Sequence, residues 1–168
     1  VEDTPLWRPT QRGRNEEEES RRVPPFYVQA ARQAKDATVW FVHPHAVVSL
    51  DAKGFRERLA HDGWPLGGFV AEGSDGTIWF LSYDERLIGI GPGDSTQIIP
   101  VRIEGQEMFR ELVAGSQGTV WVGADGSPAL VFRAKPGVKE PERFTVESGT
   151  EQAISVNAML EDPAGNLW

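Results

Sequence analysis

Gly73-Ser74-Asp75-Gly76-Thr77-Ile78-Trp79-Phe80 is the stretch on which the reading of this chain turns. Gly and Asp between apolar runs mark a tight turn, and Thr-Ile-Trp-Phe has the β-branched and aromatic make-up of a strand. The chain writes it again as Gly115-Ser116-Gln117-Gly118-Thr119-Val120-Trp121-Val122. A third copy, Asp162-Pro163-Ala164-Gly165-Asn166-Leu167-Trp168, ends the sequence, and a weaker one, Ala34-Lys35-Asp36-Ala37-Thr38-Val39-Trp40-Phe41, comes earlier. Three positions before each Trp stands Gly in three copies and Ala37 in the fourth.

Trp40, Trp79, Trp121 and Trp168 lie 39, 42 and 47 residues apart. Periods of about 40 to 45 residues belong to propeller blades or to paired-helix solenoids. No unit holds ten or more residues with helical spacing; each holds short β-branched and aromatic runs cut by Gly, Pro and Asp. The expected fold is therefore all-β, a β-propeller fragment of about four blades of four-stranded antiparallel sheets with the last blade incomplete. Residues 1–25 are expected to hold a partial strand and a charged surface loop, and residues 26–66 a blade with a weak repeat. Blades at 67–106 and 107–150 follow, and 151–168 begins a further, truncated one.

Four strands are expected per blade. The first runs into the repeated turn (Tyr27 to Arg32, Phe69 to Glu72, Phe109 to Ala114, Ile154 to Leu160), and the second carries the Trp. The third is read at Ala46 to Leu50, Leu87 to Ile90 and Ala129 to Phe132. The fourth is read at Phe55 to Leu59, Gln97 to Ile103 and Arg143 to Val146. Wedge-like sheets leave a gap between neighbours, and an indole fills it with roughly 200 Å² of buried surface. All four repeat tryptophans are thus expected to pack between blades. Val1 to Trp7 reads as a shortened echo of Leu160 to Trp168, and the charge run Arg12 to Arg22 as a surface loop with no face to bury.

Composition narrows function. The 168 residues carry a formal net charge of −8, which argues against a basic nucleic-acid-binding face. There is no Cys, so disulfides, thiolate metal sites and a Cys nucleophile are excluded. No apolar run approaches the roughly 18 residues of a spanning helix, and no membrane contact by this segment is expected. The start on Val1 and the end on Trp168 inside a repeat lead to the expectation of a piece of a longer chain.

Leu160-Glu161-Asp162-Pro163-Ala164-Gly165-Asn166-Leu167-Trp168 resembles the repeat of two-component regulator propellers, in which an acidic residue, a Gly three before Trp and a Leu-Trp pair open each blade. In the middle copies Gly73 and Gly115 take the place of Asp162. The resemblance implies a periplasmic or otherwise extracytoplasmic sensor domain of a bacterial hybrid histidine kinase. It implies no catalysis by the domain itself, and the remaining blades and signalling domains of the same chain as partners. Asp75-Gly76-Thr77-Ile78-Trp79-Phe80, followed by Arg86-Leu87-Ile88-Gly89-Ile90, is similar to repeats of virginiamycin B lyase propellers. That likeness implies a metal-dependent lyase using a histidine and a carboxylate cluster, but His43, His45 and His61 lie in no Glu-x-His setting. A protein-binding scaffold of the kelch, WD or NHL kind is the third reading.

The residues outside the repeat are the candidates for binding. In a propeller the loops joining second and third strands share a rim with the links between blades. On that rim we expect His43, His45, Trp64, Tyr83, Asp84, Arg86 and Asp125, serving a small-molecule or carbohydrate ligand. Trp64 is singled out because it falls outside the repeat position, where an aromatic serves as an anchor. His43-Pro44-His45 is the nearest approach to a metal pair, yet Pro44 interrupts the strand and no Cys or carboxylate stands at ligand spacing. The acidic turns supply two or three oxygens where calcium takes six to eight. No catalytic set, metal site or cofactor is expected.

Overall fold

The computed structural model describes residues 28–44, 46–60, 66–103, 108–126, 128–147, 149 and 153–168. The Val1 to Trp7 echo, the Arg12 to Arg22 run, His45, His61 and Trp64 lie outside them.

Within the described residues the chain forms three four-stranded antiparallel meanders. The first sheet holds β1 (Ala30–Gln33), β2 (Val39–His43), β3 (Ala46–Asp51) and β4 (Gly54–Ala60). The second holds β5 (Leu66–Glu72), β6 (Ile78–Ser82), β7 (Arg86–Ile90) and β8 (Thr96–Pro100). The third holds β9 (Phe109–Ala114), β10 (Val120–Ala124), β11 (Ala129–Ala134) and β12 (Glu142–Val146). Strand order in space follows the chain in every sheet, the arrangement of a propeller blade.

The repeated turn is a backbone requirement written in glycine. Gly76, Gly118 and Gly165 have φ of 81°, 74° and 87°, a region L-residues avoid because Cβ crowds the carbonyl. The weak copy puts Ala37 there at φ 68°, so it forms the same turn under strain. Asp75 completes the second copy: its carboxylate accepts from the Thr77 N–H and the Thr77 hydroxyl, each at 3.0 Å.

Alternation along each second strand divides the core into two layers. Ile78 and Phe80 join Trp40, Val42 and Val47 between the first and second sheets. Trp79 and Leu81 point the other way, to Leu112, Val120, Val122 and Phe132 between the second and third. The middle sheet is thus covered on both faces, which is why β6 is buried at all five positions. Trp40 and Trp79 each look toward the following sheet. Trp79 lies flat on its neighbour strand, where a Cβ at Gly89 would come within 2.8 to 2.9 Å of three ring carbons.

Three expectations need correction. The fourth strand of the second blade ends at Pro100, where a last bond from the Val101 N–H to the Glu85 carbonyl at 2.7 Å closes the ladder, Glu85 itself lying in the hairpin turn at φ 64°. Its first strand begins at Leu66, three residues before Phe69, with an irregular register between Leu66 and Val70. Ile154 to Leu160 does not form a continuous strand. It bridges to Gly126 at one end and pairs Leu160 with Trp168 at the other, with no strand alongside its middle among the described residues, where the Val156 N–H bonds to the Asp125 side chain instead.

Candidate functional site

The meander sorts the loops onto two rims. Second and fourth strands run the same way, so the hairpins joining second to third strands share one rim with the crossings between sheets. The repeated turns share the opposite rim with the turns joining third to fourth strands. By this topology His43, Tyr83, Asp84, Arg86 and Asp125 all sit on the first rim; His45 and Trp64 belong to the residues not described.

These residues are not equivalent. His43 ends β2, opposite Ala46. Tyr83 is exposed at the tip of the β6–β7 hairpin. Asp84 accepts from the Ser82 hydroxyl and lies 3.2 Å from the Arg86 guanidinium, so the two charged groups neutralise each other within one hairpin. Asp125 does something else. It pairs with Arg110 on β9 and accepts the Val156 N–H at 2.8 Å, so it ties the third sheet to the segment after it. Burial pushes its carboxyl pKa up, but the Val156 N–H, the Arg110 guanidinium and the Ser155 hydroxyl outweigh that and hold it below the ordinary value. The Gly126–Ile154 bridge adds a backbone tie beside it. Arg110 was missed from the sequence: it sits in a strand, and its partner lies fifteen residues on.

The opposite rim holds a second polar arrangement that repeats. Glu72 accepts the Lys35 N–H at 3.0 and 3.2 Å across the first seam. Glu161 accepts the Ser116 N–H at 2.8 Å, the Ser116 hydroxyl and the Trp121 indole N–H across the last. Both glutamates stand seven residues before a repeat tryptophan and clasp the turn of the preceding blade. In the middle seam that position is Ala114, and Trp79 Nε1 is buried with no hydrogen-bond partner. The Gly118 N–H reaches Ser74 Oγ at 2.9 Å there instead.

Burial pushes the Glu161 carboxyl pKa up, yet the Ser116 and Trp121 donors and the nearby Arg133 charge leave it lowered. Asp162 is lowered to about 2, first by the Asn166 side chain, then by the Trp168 indole and the Asn166 N–H. Trp168 itself is 76% exposed, so the packing expected of it is not present among the described residues. Beside Glu161 opens a cavity of about 280 Å³, lined by Ser116, Trp121, Arg133, Lys135 and the 163–165 turn.

Among the described residues no three His, Asp or Glu side chains come together as metal ligands would. No described helix is long and apolar enough to cross a membrane.

Solved structures with the same fold are found at low sequence identity. One is virginiamycin B lyase from Staphylococcus aureus, 16% identical at a TM-score of 0.64 over 87% of this chain and 49% of that one. Another is the extracellular domain of the putative one component system BT4673 from B. thetaiotaomicron, 11% identical at a TM-score of 0.62 over 84% of this chain and 19% of that one. A third is the extracellular domain of the putative hybrid two component system BT4673 from B. thetaiotaomicron, 13% identical at a TM-score of 0.59 over 87% of this chain and 20% of that one. Both kinds of propeller that the repeat resembles therefore stand among its structural neighbours. The chain spans about half the length of the lyase and a fifth of the sensor domain. No family profile matches the chain, and no curated protein does.

Proposed function

We propose that the chain is part of a sensing propeller, the extracytoplasmic input region of a two-component signalling protein, which binds a small molecule or carbohydrate on the rim of the second-to-third strand hairpins. The observation that carries this reading is the Arg110–Asp125–Val156 junction. Asp125 is shared between Arg110, whose side chain is 45% exposed on that rim, and a backbone N–H of the next segment. A ligand that engages Arg110 competes for the same carboxylate that ties two blades together. Capture is thereby coupled to the seam, and a ligand that prefers one seam arrangement shifts its population. The repeat resemblance and the BT4673 neighbours support the signalling context. The domain captures and releases its ligand without chemistry, and any kinase activity belongs to segments beyond this sequence.

The test is a binding screen of the longest available polypeptide against neutral and acidic mono- and disaccharides, with Arg110→Ala and Tyr83→Ala in parallel. The reading expects at least one saturable ligand, weakened about tenfold or more by Arg110→Ala. Turnover of a cyclic lactone in the presence of divalent metal would sink it in favour of a lyase. Unchanged binding by both variants would move the site off this rim.

A further inference from the structure

Each sheet ends on a fourth strand that pairs on one side only, so β4, β8 and β12 each leave an edge of unpaired backbone groups. Two of these edges carry charge, which resists pairing. β4 holds Arg56, Glu57 and Arg58, and its register with β3 shifts between Val47 and Val48. β12 opens on Glu142 and Arg143. β8 reads Thr96-Gln97-Ile98-Ile99-Pro100, without a charge and in unbroken register with β7. Ile98 is 53% exposed on it. Both faces of the middle sheet are covered by its two neighbours, so its outer edge is the part left open.

The ladder fixes which groups face outward. The Gly91 N–H bonds to the Ser95 carbonyl at 2.8 Å and the Val101 N–H to the Glu85 carbonyl at 2.7 Å, in line with the pairs Gly89–Gln97 and Leu87–Ile99. Antiparallel ladders alternate, so Thr96, Ile98 and Pro100 turn their backbone groups away from β7. Pro100 has no N–H to offer and stands where an edge strand tolerates proline. Thr96 and Ile98 each present one N–H and one C=O. That pattern matches its own copy turned through half a rotation. Thr96 then faces Ile98 of the second copy and Ile98 faces Thr96 of the second copy, with an N–H and a C=O exchanged at each rung. This register keeps Pro100 out of the paired rungs and sets Gln97 against Gln97. It also brings the Asp94 end of each strand to the Arg102 end of the other, and both residues are exposed. β4 or β12 would carry charge into the joint, so the edge that fits β8 is β8.

We propose that β8 pairs antiparallel with β8 of a second copy of this chain, joining two middle sheets across a two-fold axis at Gln97. The pairing is isologous and closes at two copies. Strands this short cover far less than the about 1,200 Å² of a standard interface, so the dimer is weak and depends on concentration. The test is sedimentation equilibrium of the longest available polypeptide over a wide concentration range. Ile98→Lys is run beside Thr145→Lys, which adds the same charge to the exposed face of β12. A monomer–dimer equilibrium is expected, weakened about tenfold or more by Ile98→Lys and unchanged by Thr145→Lys. The chain has no Cys, so Gln97→Cys gives an independent readout. Opposed residues of a non-hydrogen-bonded antiparallel pair lie about 4.5 Å apart at Cα, within disulfide reach. Mild oxidation should therefore link two Gln97→Cys chains, and adding Ile98→Lys should suppress the link. Gln97→Cys gives up bonds to the Gly137 N–H and the Val138 carbonyl, so melting curves of every variant distinguish lost pairing from lost folding. A monomer at every concentration overturns the proposal, as does growth beyond the dimer. So does equal association of the Ile98→Lys and Thr145→Lys chains, or a folded Gln97→Cys chain that stays unlinked.

Discussion

The middle seam and the last seam set the same tryptophan at the same register, yet hold it by different forces. In the middle seam Trp79 is fully buried against apolar side chains of two sheets, and its indole N–H has no acceptor. In the last seam Trp121 has Arg133 and Phe144 on its own sheet, Val156 and Met159 near Gly123, and the Glu161 carboxylate on its N–H. Where two complete sheets close on each other, area burial suffices even with a polar group orphaned. Where the indole packs on Arg133 and the 40% exposed Phe144, the hydrogen-bond clasp takes a larger share. An unmade buried hydrogen bond costs about 1–3 kcal/mol, a fraction of what a buried indole contributes.

The largest effect should follow from removing Trp79. Trp79→Ala is expected to cost about 3–5 kcal/mol in denaturant unfolding, since the cavity sits between two sheets that cannot collapse onto it. Trp121→Ala should cost less, because its ring packs in part on Arg133 and the 40% exposed Phe144. Equal losses would erase the distinction drawn between the seams.

Next comes the clasp. Glu161→Ala leaves the Trp121 and Ser116 donors without their acceptor and should cost about 1–3 kcal/mol, with Glu161→Gln recovering part of it through its amide oxygen. No change on Glu161→Ala would show the clasp to be incidental.

The converse sharpens the comparison. Ala114→Gln places an amide oxygen where the last seam has its carboxylate, giving Trp79 an acceptor without adding charge near Asp75. A gain of about 1 kcal/mol is expected. A loss would mean that Ala114 and Glu161 do not occupy equivalent space.

The smallest effect is in pH. The folded pKa of Glu161 is lowered from its ordinary 4.5, so its contribution is complete above that value and is lost as pH falls through the lowered one. Stability of the chain should therefore decline on acidification below the ordinary value. Glu161→Gln should flatten that decline, read from melts across the acid range.

The scaffold was legible because its demands are local. Positive φ at Gly76, Gly118 and Gly165 requires glycine, and an alternating strand requires Trp79 to face one side and Phe80 the other. Ala37 shows the limit of that logic: it holds the turn without being glycine, so the copy at Ala34 to Phe41 looked weaker than it is. The clasp escaped because Glu72 and Glu161 occur in two of the four copies and meet backbone N–H groups a whole blade away. A scan for acids seven residues before each tryptophan would have found them. The segment 154–160 reads as a strand by pattern, but a strand also needs partners along its length, which no pattern supplies. Of the rim, Asp125 was legible as a non-repeating acid and Arg110 was not, because nothing local marks the residue that pairs with it.

The architecture is tested most directly by hydrogen exchange at the indole nitrogens. Trp79 has no acceptor for its N–H, so any protection must come from burial in the seam alone, where the residue is 0% exposed. The account predicts that the Trp79 indole proton exchanges only with global unfolding. Exchange of that proton at the rate of a free indole while the sheets stay folded would contradict it.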